Sequence, residues 1–136
     1  MKKVFISYSG KDREKVVEIV LALREHEDIE VWFDEDEILP GDDFLEKMKL
    51  GIKLCDKFII CLSPSFDERP PQSWVQQELR MAILSENKRG KRIIIPLRLY
   101  RGGDTPLELG TRAYADISSP KKWKKNFPRL IKAIRK

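Results

Sequence analysis

The chain is 136 residues long, 41% hydrophobic and 36% charged, with a formal net charge of +5. That size fits one globular domain, residues 1–136, with room for a real core, and its interleaved apolar segments exclude a disordered chain. No apolar run nears the roughly 20 residues of a membrane span, so neither a signal peptide nor a transmembrane helix is expected.

Val4-Phe5-Ile6 reads as a short buried strand. Ser9-Gly10-Lys11-Asp12 then has the form of a capping box, Ser9 as N-cap and Asp12 at the third position, opening a helix near Lys11. The apolar stripe of that helix is Val16, Ile19, Val20 and Leu23, and it stops around Glu25-His26. His26 is the lone histidine, and no Cys/His cluster has metal-ligand spacing, so no metal is expected. Ile29 to Phe33 is the second strand. Asp34 to Asp43 reads as a loop feeding a helix, with Pro40-Gly41 as turn and Asp42 or Asp43 as cap. Its acidic run, Asp34 to Glu37, reads as solvated.

Phe44, Leu45, Met48 and Ile52 face that helix inward, and Phe58 to Leu62 makes the third strand. Cys55 and Cys61 flank the apolar run Phe58-Ile59-Ile60 as buried free thiols, which fits a reducing, cytoplasmic compartment. Ser63 to Gln72 carries three prolines and reads as irregular; Ser73 caps the next helix, with Gln76 reaching back. Val75, Leu79, Ala82 and Ile83 form that helix's stripe, and Trp74 and Glu78 lie one turn apart on its shoulder. Arg92 to Leu99 is the fourth strand, Tyr114 to Ile117 a short fifth, and Trp123, Phe127, Leu130, Ile131 and Ile134 line a final helix. The basic excess sits there, at Lys121, Lys122, Lys124, Lys125, Arg129, Lys132, Arg135 and Lys136. It reads as that helix's wet face, so neither nucleic acid nor membrane is expected as a partner.

Continuous apolar strands alternating with helices mean an open parallel α/β sheet covered on both faces. Ligands of such sheets bind at the carboxyl ends of the strands, here Ser7 to Lys11, Asp34 to Gly41, Ser63 to Gln72 and the helix start bearing Trp74 and Glu78. The backbone N–H groups after Gly10 suit an anion. Neither a Walker loop nor a GxGxxG fingerprint is present, which disfavours nucleoside triphosphatases and conventional Rossmann dehydrogenases.

Taken together, FISYSGKD (5 to 12), VWFDEDEILPGDDF (31 to 44), FIICLSPSF (58 to 66) and SWVQQEL (73 to 79) resemble the Toll/interleukin receptor (TIR) domain of bacteria, archaea and plants. The resemblance implies a flavodoxin-like five-stranded sheet of order 2-1-3-4-5, with Asp34 to Gly41 as a loop that covers the active site and contacts neighbouring domains. Many TIR domains cleave NAD⁺ to nicotinamide and ADP-ribose or a cyclic variant, using a glutamate four residues after a tryptophan, and Glu78 after Trp74 fits. NAD⁺ is then a substrate rather than a cofactor, and no cofactor is implied. Carried over, Phe5, Ser7, Ser9 and Lys11 border the nucleotide, with Trp32, Phe33, Asp34, Leu39, Pro40 and Gly41 at the second-strand edge, Ser63 at the third and Trp74 beside Glu78. Two departures are a long connection from Ser63 to Ser73, which bears on the cleft's shape, and Val75 where many relatives have cysteine.

The implied partners are NAD⁺, other TIR domains assembling head to tail, and a fused or separate sensor. A competing reading is an adaptor that works by TIR–TIR contact and turns over nothing. A phospho-receiver domain is disfavoured, because Leu62-Ser63-Pro64 stands where its phosphorylatable aspartate belongs.

Overall fold

A computed structural model of the chain describes residues 1–64, 74–102 and 105–136. Its five strands are β1 (Lys2–Ser7), β2 (Ile29–Trp32), β3 (Lys57–Leu62), β4 (Ile94–Arg98) and β5 (Ala115–Asp116). They form one sheet of order β2-β1-β3-β4-β5, and every pair is parallel. The expected flavodoxin-like order is therefore the observed one. It reverses direction between β1 and β3, which pair as Phe5 with Phe58 and Ser7 with Ile60.

Helices cover both faces. On one side α1 (Arg13–Arg24) and the last helix, α5 (Pro120–Arg135), bury Val16, Ile19, Val20, Leu23, Phe127, Leu130, Ile131 and Ile134 against Val4, Ile6, Ile59 and Leu97. On the other, α3 (Phe44–Leu54) and α4 (Trp74–Arg89) bury Met48, Ile52, Val75, Leu79 and Ala82 against Phe5, Phe58 and Ile60. Two-sided cover is why the strands read as unbroken apolar runs rather than alternating ones. α3 approaches β1 and β2 closely because residue 51 is glycine: a Cβ there would lie 2.9 Å from Trp32 Cε2 and 3.0 Å from the Phe5 ring.

Three local expectations change. The first helix begins at Arg13, preceded by a 3-10 turn over Gly10–Asp12. Ser9 Oγ accepts from the Lys11 N–H at 3.4 Å, while the Asp12 carboxylate leaves the cap altogether for a partner described below. The run Asp34–Glu37 is a helical turn, α2, rather than loop. Nor is it merely solvated: α1 clasps it through Arg13 to Glu35 (2.8 Å) and Arg24 to Asp36 (2.9 Å). Arg13's hydrogen bond holds the Glu35 carboxyl below the usual carboxylate range. Asp43 does cap α3, accepting from the Glu46 N–H at 3.0 Å, and Gly41 supplies the turn's positive φ of 92°. The proposed Ser73 cap lies outside the described residues. No helix among those described is long and apolar enough to cross a membrane.

Candidate active site

Two elements meet at the carboxyl end of the sheet. Ser7 closes β1 with its side chain on the α3/α4 face, and the first turns of α4 pass over it carrying Trp74 and Glu78. Ser7 is fully buried and Glu78 is 9% exposed, and the serine hydroxyl donates to Glu78 Oε1 at 3.1 Å. A carboxylate this far out of water costs several kcal/mol unless hydrogen-bonded. The Ser7 hydroxyl supplies one such bond, and it fixes which way the carboxylate points.

Glu78 opens onto a cleft of about 430 Å³, bordered by Tyr8, Ser9, Gly10, Asp34, Glu35, Phe44, Trp74 and Val75. That volume suits a small-molecule site, typically about 300–1,000 Å³. Its walls are partly aromatic. Trp74 is 47% exposed and leans on Phe44, ring centroids 4.6 Å apart at 52°. Opposite, the Tyr8 ring stacks on Phe33 at 5.5 Å, and its hydroxyl donates to Asp34 Oδ1 at 2.7 Å. Burial and that hydrogen bond push the Tyr8 phenol far above its ordinary value, so it remains a neutral donor.

The register of α4 is anchored two turns beyond Glu78. Glu86 is buried, and its carboxylate accepts from the Ile93 N–H (2.8 Å), the Ile94 N–H (2.9 Å) and both terminal nitrogens of Arg112 (2.6 Å each). Burial alone would raise its pKa, but the Arg112 guanidinium and the two backbone donors outweigh burial and hold the carboxyl below the usual range. This knot ties the helix end to the start of β4 and to the loop before β5. It escaped the sequence because Glu86 reads as one more helix-surface charge; its one hint is the i+8 spacing from Glu78.

Among the expected site residues, the structure brings Ser7, Ser9, Asp34, Trp74 and Glu78 together at the cleft. Others are elsewhere. Phe5 is fully buried between Trp32 (4.6 Å) and Phe58 (5.3 Å), so it offers a ligand no surface. Trp32 lines a separate groove with Lys3, Leu50, Gly51 and Leu54, and Phe33 is buried behind Tyr8. Lys11, Leu39, Pro40 and Gly41 are exposed but do not border the cleft. Ser63 is 3% exposed and donates to Asp12 at 2.6 Å rather than facing a ligand. Tyr8, Glu35, Phe44 and Val75 also border the cleft, though sequence reasoning gave none of them a site role; all four stand in the quoted motifs. Among the described residues no group of His, Cys, Asp and Glu could hold a metal ion.

Comparison with known proteins gives the family and the fold. The family model described as TIR domain matches residues 4–131. A curated relative, the 2′ cyclic ADP-D-ribose synthase BtTIR of Bacteroides thetaiotaomicron, is 28% identical over 93 residues, which is 68% of this chain and 31% of that protein. The chain thus spans under a third of that relative's length. Among solved structures, the TIR domain of the Toll-related receptor TRR-2 from Hydra magnipapillata superposes with a TM-score of 0.76 at 24% identity, covering 98% of each chain. The CMP N-glycosidase BcmB of Clostridium botulinum gives 0.62 at 22% identity, covering 95% of this chain and 99% of that one. At these identities the two structures speak to the fold.

Proposed function

Because the chain belongs to the TIR domain family, we propose that it cleaves the glycosidic bond of NAD⁺, with Glu78 as its catalytic carboxylate. The observation that carries this reading is the Ser7–Glu78 pair, a buried carboxylate held by a buried hydroxyl at the floor of an aromatic cleft. The name of the bacterial relative, a cyclic ADP-ribose synthase, supports the substrate class.

One carboxylate is chemically sufficient for this bond. Ordinary glycosidases need two, because a poor leaving oxygen must be protonated as the second group attacks or activates water. Nicotinamide leaves NAD⁺ as a neutral molecule from a cationic ring, so no acid is required. What the reaction demands is a fixed negative charge beside the ribose as it acquires oxocarbenium character. Glu78, held by Ser7, supplies it. Trp74 and Tyr8 offer flat faces for the substrate's rings, and Ser9 and Gly10 line the wall where backbone approaches the ligand. The linear or cyclic outcome follows from which nucleophile, water or an atom of the substrate, captures the ribosyl cation.

The competing reading, a domain that acts only through contact with other TIR domains, draws on Leu39, 61% exposed on the loop after α2. It has no use for a buried carboxylate facing a cleft. Assembly with further copies, and control by a sensor in the same or another chain, belong to the proposal rather than to the site. The test is nicotinamide release from NAD⁺ at high protein concentration, with Glu78→Ala in parallel. Release by the wild type that disappears in the folded variant supports the enzyme, and equal release by both removes Glu78 from it.

A further inference from the structure

We propose that Asp12 and Ser63 form a positioning pair that pins one wall of the cleft in front of Glu78, the segment Tyr8 to Asp12, to the end of β3. The proposal rests on the functional reading above and gives it a residue, Asp12, with no part in it so far.

Asp12 stands at the N-cap of α1, where an aspartate ordinarily accepts from a backbone N–H of the first turn and contributes about 1 kcal/mol. Its side chain makes no such bond. Oδ2 instead accepts from Ser63 Oγ at 2.6 Å, a contact between residues 51 apart in sequence, and the two are 4% and 3% exposed. An O–H···O⁻ bond of this length is among the stronger ones, and it replaces a cap that was available locally.

What the pair joins explains the exchange. Asp12 ends the 3-10 turn Gly10–Asp12, which continues the cleft wall formed by Tyr8, Ser9 and Gly10, and its own N–H donates to Ser9 O at 2.8 Å. Ser63 directly follows β3, the strand beside β1 in the sheet. β1 and β3 are neighbours at the point where chain order reverses, and the pair bridges the segments that follow them, just beyond the Ser7–Ile60 ladder position. Neither residue borders the cleft, so their influence on substrate passes through the wall they hold.

The test uses Ser63→Ala, Asp12→Ala, Asp12→Asn and the double alanine variant in the full chain. Two readouts are taken: steady-state nicotinamide release, and amide hydrogen exchange of residues 8–12. Each alanine variant is expected to lower kcat/KM roughly tenfold, chiefly through KM because Ser7 still holds Glu78. The double variant loses no more than either single one, since its second change removes a partner already idle. Asp12→Asn, which keeps an acceptor oxygen, stays within about threefold of wild type. Exchange at residues 8–12 accelerates in Ser63→Ala while the core of α5 is unmoved. Additive losses, an Asp12→Asn as impaired as Asp12→Ala, or unchanged exchange at residues 8–12 would each overturn the pair. If Asp12→Ala does not fold, Ser63→Ala carries the test alone. A wild type that releases no nicotinamide sinks the enzymatic reading instead, and hydrogen exchange then decides the pair without it.

Discussion

Ser7→Ala is the sharpest single perturbation of the candidate site. It removes one oxygen from a fully buried position and leaves the Cβ that packs there, so the change is confined to the bond with Glu78 Oε1. A hydrogen bond to a charged group is worth about 1.5–3 kcal/mol, and at about 1.4 kcal/mol per factor of ten this corresponds to a loss of about tenfold to a hundredfold. Only the part of that energy expressed more strongly in the transition state appears in kcat. The bond already exists in the resting protein, so the lower end, about tenfold, is the expected fall. The assay is steady-state nicotinamide release with kcat and KM resolved, alongside a urea midpoint to show that the variant is folded. KM is expected to stay within about twofold, because the hydroxyl is spent on Glu78 rather than on substrate. An unchanged kcat in a folded variant would refute the claim that Ser7 holds the carboxylate. A rise in KM alone would return Ser7 to the substrate-binding role that the family resemblance implies.

Glu86→Ala strands the buried Ile93 and Ile94 N–H groups and the Arg112 guanidinium, so urea unfolding should report a loss of about 3–5 kcal/mol. Because the Glu86 carboxyl is held below its ordinary value of 4.5, its contribution is complete above that pH and is lost as pH falls through the lower folded value. Wild type should therefore lose stability on acidification below about pH 4.5 more steeply than Glu86→Gln, and parallel curves would count against the knot. Gly51→Ala places a methyl against Trp32 and Phe5, and an overpacking cost of about 1–3 kcal/mol should lower the urea midpoint. Cys55 is buried, and desolvation pushes its thiol up to about 11 despite nearby Arg89. It should resist alkylation at pH 8 in the native protein and react once unfolded, as followed by mass spectrometry.

The layer order and both cores were legible because they rest on apolar periodicity: the stripe Val16, Ile19, Val20 and Leu23 and the run Phe58 to Leu62 are buried as their spacing requires. Glu78 was singled out through the family resemblance of its motif, and the structure puts it at a cleft with Ser7 as its partner. Side chains that pair across long sequence distances were not legible. Asp12 follows Ser9 at capping-box spacing, a local pattern, yet its carboxylate answers to Ser63 at the end of another strand. The run Asp34 to Glu37 resembles any solvated acidic loop until α1 brings Arg13 and Arg24 beside it. Phe5 and Trp32 share motifs with site residues but stack on each other beneath α3, because alternation along a strand and the gap at Gly51 decide where their rings go.

The chain's three tryptophans provide the most direct measurement. Trp74 borders the cleft, Trp32 lines the groove beneath α3, and Trp123 packs on Phe127 of α5 at the opposite face. NAD⁺ titrated into the Glu78→Gln variant, with the indole N–H signals followed by NMR, reports which surface the nucleotide occupies without turnover. A saturable shift of the Trp74 signal alone is the predicted result. Movement of Trp32 or Trp123 in its place, or none of the three at millimolar NAD⁺, would contradict the assignment of this cleft.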